Sequence, residues 1–131
     1  AQRAASVIGL EASKASVDRA SSNAQLNGLG NVAFEVADLY QSESSSLVLP
    51  KVNKALLDPP RSGAEWVCQK LVDSACNKIV YVSCNPKTLR RDTDILCAGG
   101  FQLDQLGMID MFPHTAHMES IASFSRGLPN G

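Results

Sequence analysis

Ser83-Cys84-Asn85-Pro86 sets a thiol between the apolar run Lys78-Ile79-Val80-Tyr81-Val82 and a proline suited to opening a helix. At such a junction the positive end of the helix dipole favours the thiolate, the form in which cysteine is a nucleophile. The other cysteines, Cys68, Cys76 and Cys97, fall in segments read as helical, where a lone cysteine is most often a small apolar core residue. Asp58-Pro59-Pro60-Arg61 offers a carboxylate and a guanidinium on a turn that two prolines make rigid. Rigid charge placement suits a substrate pocket; the plainer reading is an Asp that caps the next helix and a solvated Arg. Glu119 follows Phe112-Pro113-His114-Thr115-Ala116-His117-Met118, a stretch rich in groups able to bind a polar substrate, and is a candidate base or an ordinary surface residue.

Glu11 and Asp38 each follow an apolar run. At the position of Glu11 a carboxylate commonly accepts hydrogen bonds from ribose hydroxyls, although a solvated acid at a helix start fits Glu11 and Asp38 alike. His114 and His117 have no thiol nearby, and Cys68, Cys76 and Cys84 form no Cys-x-x-Cys pair, so no metal is expected.

Placing these groups requires strands that end at them. Val7 to Leu10 reads as a strand, followed by a helix with Val17, Ala20, Ala24 and Leu26 at helical spacing that stops at Asn27-Gly28. Strands are expected over Asn31 to Val36 and Lys54 to Leu57, and a helix over Gly63 to Ala75. Lys78 to Val82 reads as a strand buried on both faces, and the helix opened by Pro86 closes at Gly99-Gly100. Two further strands, Phe101 to Ile109 and Glu119 to Phe124, lack a helix between them and should pair antiparallel. Ser42 to Ser46 is a polar loop. The expected fold class is therefore α/β: a parallel sheet in βαβ units with an antiparallel terminal hairpin and ligands beyond the carboxyl ends of the strands.

The chain has 131 residues, of which 44% are hydrophobic and 19% charged, the composition of one globular domain. Its net charge of -1 lacks the basic excess of a phosphate-binding surface, so any grip on nucleic acid must be local or come from elsewhere. Apolar stretches are short and no signal-like segment opens the chain, which reads as soluble and cytosolic, with reduced thiols.

Leu57-Asp58-Pro59-Pro60-Arg61-Ser62-Gly63, Tyr81-Val82-Ser83-Cys84-Asn85-Pro86 and Asp110-Met111-Phe112-Pro113-His114-Thr115-Ala116-His117-Met118-Glu119-Ser120 together closely resemble the bacterial RNA (uracil-5-)-methyltransferase family. The three motifs stand in that family's order, and the resemblance covers nearly the whole chain. The Asp-Met-Phe-Pro-His-Thr form looks more like the large-subunit ribosomal RNA enzymes than the transfer RNA enzyme. It implies a class I, Rossmann-like methyltransferase sheet using S-adenosylmethionine. On this resemblance Cys84 is the nucleophile that adds to uracil carbon 6, Glu119 is the proton acceptor, and Asp58 and Arg61 line the pocket near cofactor and uracil. Glu11 and Asp38 match the ribose and adenine side of the cofactor site, with the departure that Asn stands in the family where this chain has Asp38.

The resemblance also implies that residues 1–131 are the C-terminal part of the catalytic domain. The first strand, its glycine loop, an RNA-binding domain and, in many members, a cysteine cluster for an iron-sulfur centre would precede it; no such cluster is expected in this chain. Loss of a central strand would leave two unpaired edges. The isolated chain is then expected to be impaired in cofactor binding and catalysis, and to self-associate or fold with reduced stability. Two competing expectations are a methyltransferase directed at a nucleic-acid nitrogen, for which the Asp-Pro-Pro turn suffices, and a non-catalytic RNA-binding module on the same fold.

Overall fold

The structure, a computed structural model, describes residues 1–40, 47–110 and 118–127. It divides into two compact units, Ala1–Pro50 and Lys51–Gly131.

In the first unit, strand β1 (Val7–Glu11) is followed by helix α1 (Lys14–Leu26) and strand β2 (Val32–Val36). The helical crossover makes the two strands parallel, in register from Val7 opposite Val32 to Glu11 opposite Val36. Ser13 caps α1 by accepting a hydrogen bond from the Ser16 N–H at 3.3 Å, and Val17 and Ala24, two turns apart, are its buried residues. The helix ends at Asn27, and Gly28 takes a left-handed φ of 66°, which glycine adopts without a Cβ penalty.

The second unit contains β3 (Lys54–Leu57), α2 (Glu65–Val72), β4 (Lys78–Ser83), α3 (Pro86–Ala98), β5 (Gln102–Asp110) and β6 (Met118–Ser125). Its sheet has the order β3-β4-β6-β5: β3 runs parallel to β4, and β6 lies antiparallel to both β4 and β5. This is the α/β class with the antiparallel hairpin expected from the sequence. Among the described residues, β1 pairs only with β2 and β3 only with β4, so one edge of each carries no strand.

Two elements differ from the sequence expectation. Helix α2 is shorter than Gly63 to Ala75 at both ends. Gly63 sits at φ 82°, outside the helical region, and the Ser74 hydroxyl donates to the Leu71 carbonyl and accepts from the Cys76 N–H, drawing the chain into a turn. Strand β4 is not buried on both faces within its unit. Ile79, Tyr81 and Ser83 are buried on one face, while Val80 and Val82 on the other are half-buried.

Two polar residues hold the core together. Asp92, fully buried on α3, accepts hydrogen bonds from the Tyr81 hydroxyl at 2.5 Å, the Ala64 N–H at 2.7 Å and Arg91 Nε at 3.0 Å. A buried carboxylate is tolerable only with such partners. Arg126, just after β6, spends every guanidinium N–H on backbone: Nε on Cys76, Nη1 on Val72 and Gly99, and Nη2 on Leu71 and Ser74. Its plane lies 4.2 Å from the centre of the Phe101 ring. The carbonyls it takes include those left unpaired at the C-terminal ends of α2 and α3.

Two of the three cysteines expected in helical core positions stand elsewhere. Cys68 is buried in α2 as expected, but Cys76 is buried in the turn before β4 rather than in a helix. Cys97 is exposed, because α3 turns Leu89, Asp92 and Leu96 inward and leaves position 97 on the outer face. No helix among the described residues is long and apolar enough to cross a membrane.

Candidate active site

Cys84 stands between the last residue of β4 and the cap of α3, in a half-buried position. Its neighbours close around it: the Ser83 hydroxyl donates to the Asn85 carbonyl at 2.9 Å and accepts from the Asn85 N–H at 3.1 Å. Asn85 is extended at φ -135° and caps α3 through Oδ1, which accepts from the Lys87 N–H at 3.1 Å. Pro86 takes the first helical position, where a missing N–H costs nothing. The thiol is thus carried on a turn fixed from both sides, at the N-terminal end of a helix of 13 residues.

Glu119 reaches the same place from the other strand. β4 and β6 pair antiparallel up to Ser83 opposite Ser120, so Cys84 and Glu119 each lie one residue beyond that last pair. Glu119 is half-buried and paired in the hairpin with Ile109. Residues far apart in sequence are therefore brought to one end of the sheet.

Asp58 and Arg61 follow the end of β3, the parallel neighbour of β4. Both are exposed, while Pro59 between them is buried and anchors the turn. The Gly63 N–H closes the turn on the Pro60 carbonyl at 2.9 Å. The Arg61 carbonyl accepts from Asn85 Nδ2 at 2.8 Å and from the Thr88 hydroxyl at 3.0 Å. Sequence reading missed Asn85 and Thr88 as partners of this turn.

In the first unit, Glu11 ends β1 and Asp38 lies just beyond β2, at the same carboxyl end of the two strands. Glu11 is exposed and accepts the Ser13 N–H through Oε1 at 3.0 Å; Asp38 is half-buried and accepts the Tyr40 N–H at 3.1 Å. The second Glu11 oxygen leaves a carboxylate acceptor of the kind a ribose hydroxyl needs. His114 and His117 lie outside the described residues, as does the Ser42 to Ser46 loop. No group of three or more His, Cys, Asp or Glu side chains suited to a metal occurs among the described residues.

A family model described as tRNA (Uracil-5-)-methyltransferase matches residues 1–126. The chain belongs to that family. Among family relatives, the 23S rRNA (uracil(1939)-C(5))-methyltransferase RlmD of Hahella chejuensis is 47% identical over 131 residues, covering 96% of this chain and 29% of the relative. The RlmD of Methylococcus capsulatus is 51% identical over 128 residues, again covering 96% and 29%. Among solved structures, the Pyrococcus abyssi tRNA (uracil-54, C5)-methyltransferase in complex with S-adenosyl-L-homocysteine superposes with a TM-score of 0.78 at 31% identity, covering 95% of this chain and 30% of that one. The chain therefore spans about 29% of the length of the relatives first matched. Wider likeness, such as a TM-score of 0.68 at 12% identity to the [4+2]-cyclase SpnF, shows the shared fold alone.

Proposed function

We propose that this chain is the C-terminal part of the catalytic domain of an S-adenosylmethionine-dependent enzyme that methylates carbon 5 of a uridine in ribosomal RNA, acting in the cytoplasm. The observation that carries the reading is the pairing of β4 with β6, which brings Cys84 and Glu119 to one end of the sheet just past Ser83 and Ser120. The ribosomal substrate is supported by the RlmD relatives.

Uracil carbon 5 is too weak a nucleophile to take a methyl group unaided. The Cys84 thiolate adds to carbon 6, forming a carbon–sulfur bond and moving the ring electrons into an enolate that is nucleophilic at carbon 5. Bound S-adenosylmethionine would supply the electrophilic methyl group, held on its ribose side by Glu11 and on its adenine side by Asp38. Glu119 then removes the carbon 5 proton, and the returning electrons re-form the 5,6 double bond and expel the Cys84 thiolate. Asp58 and Arg61, on the turn after β3, bind the polar edge of the base and the cofactor. RNA loops with splayed bases are the substrate type such a pocket takes.

The test is methyl transfer to ribosomal RNA by the full-length protein carrying Cys84→Ala. Loss of transfer with RNA binding intact is expected. Retained transfer would exclude the covalent route and favour a nitrogen-directed methyltransferase, and RNA affinity with no transfer even in the unmodified protein would favour a binding module.

A further inference from the structure

The turn that carries Arg61 is bound, group by group, to one face of the helix that follows Cys84. The Arg61 carbonyl accepts from Asn85 Nδ2 and the Thr88 hydroxyl, the Ser62 carbonyl accepts from Arg91 Nη2 at 3.0 Å, and the Ala64 N–H donates to Asp92 Oδ2 at 2.7 Å. Positions 85, 88, 91 and 92 recur at the helical spacing and form a stripe along α3. The contact is close: a Cβ at Gly63 would stand 2.6 Å from Arg91 Nη2, 2.7 Å from Asp92 Oδ2 and 2.9 Å from Thr88 Cβ. Glycine is required there twice over, since its φ is 82°.

We propose that Asn85 and Thr88 are positioning residues, which lock the Asp58–Arg61 turn to the Cys84 turn so that the Arg61 side chain and the thiol meet one uracil in fixed geometry. Asn85 serves both turns at once. Its backbone closes the Ser83 ring around Cys84, its Oδ1 caps α3, and its Nδ2 holds Arg61. The Arg61 side chain is exposed and makes no hydrogen bond or ion pair among the described residues, so a backbone clamp leaves the guanidinium available for substrate. Fixing two groups on different loops matters because small misplacements of reacting groups lower rates steeply. The inference rests on the nucleophilic role proposed for Cys84.

The experiment uses the full-length protein with three substitutions. Thr88→Val removes one donor to Arg61 without changing volume, and Thr88→Ser keeps it. Asn85→Asp keeps the helix cap but replaces the amide donor by an acceptor. In Thr88→Val and Asn85→Asp, amide hydrogen exchange at residues 61–64 should rise, and kcat/KM for ribosomal RNA should fall about tenfold or more, with the thermal midpoint nearly unchanged. Thr88→Ser should match the unsubstituted protein in both. Unchanged exchange in Thr88→Val and Asn85→Asp overturns the clamp itself. Raised exchange with normal kcat/KM, or an equal loss in Thr88→Ser, overturns its positioning role. Cys84→Ala in the same assay separates the two readings: methylation retained there defeats the nucleophile, a failure distinct from that of the clamp.

Discussion

Cys84 and Glu119 flank the last antiparallel pair of their strands, each one residue past Ser83 and Ser120. The proposed nucleophile and base, 35 positions apart in the chain, are thereby brought to one end of the sheet by the pairing of β4 with β6. Strand pairing of this kind positions groups more reproducibly than two independent loops would.

Division of labour between these two residues predicts distinct failures. On the proposed roles, Glu119→Gln in the full-length protein removes the proton acceptor but not the nucleophile, so turnover should fall on the order of 10²-fold or more. Methylated RNA should remain covalently attached to the protein, visible as a slow-migrating band with ordinary uridine RNA. Normal turnover without such a species would assign proton removal to another group.

Arg126 should matter far from any chemistry. Arg126→Ala removes the guanidinium donors from carbonyls at Val72, Ser74, Cys76 and Gly99, and from that of Leu71, which keeps Ser74 as a partner, and should lower unfolding free energy by roughly 2–4 kcal/mol. Chemical denaturation checks this. A change below about 0.5 kcal/mol, the usual range for surface substitutions, would mean that water replaces the guanidinium without cost.

Alkaline pH should weaken the second unit. Burial, with Asp92 close by, pushes the Cys68 thiol up from 9.0 to about 12, and burial followed by the hydrogen bond to Asp92 raises the Tyr81 phenol above its ordinary 10.0. Both groups keep their protons in the folded state where the unfolded chain has lost them. Their stabilising contribution is therefore unaffected below pH 9 and declines from about pH 9 towards 12 as the unfolded state binds fewer protons. Denaturation midpoints should fall across that interval, less steeply in Cys68→Ala. A flat profile from pH 8 to 11 would contradict the buried neutral thiol.

Much of this arrangement was legible in the sequence, and for physical reasons. Apolar runs ending at Glu11, Asp58 and Cys84 mark strand ends, Pro59-Pro60 forbids ladder and helix alike, and Pro86 after Cys84 announces a helix start. Arg126 gave no such signal, because its partners lie 27 to 55 positions away and are backbone atoms that carry no sequence signature. Asp92 did leave a trace: it continues the inward stripe of Leu89 and Leu96, where an acid is buried only if it is paired. Cys97 looked like Cys68 by residue type and differs only in helix phase, while Cys76 was misplaced because the end of α2 is set by the Ser74 side chain rather than by an apolar pattern. The clamp between Asn85, Thr88 and Arg61 joins residues from different motifs, and local spacing does not reveal it.

The covalent role proposed for Cys84 is tested most directly by incubating the full-length protein with S-adenosylmethionine and ribosomal RNA carrying 5-fluorouridine. Fluorine at carbon 5 cannot leave as a proton does, so the adduct should persist after methyl transfer and block elimination. Peptide mass spectrometry should then find the methylated fluorouridine on Cys84, with none in Cys84→Ala. A stable adduct on another residue, or methylation of ordinary RNA with no adduct at Cys84, would contradict the account.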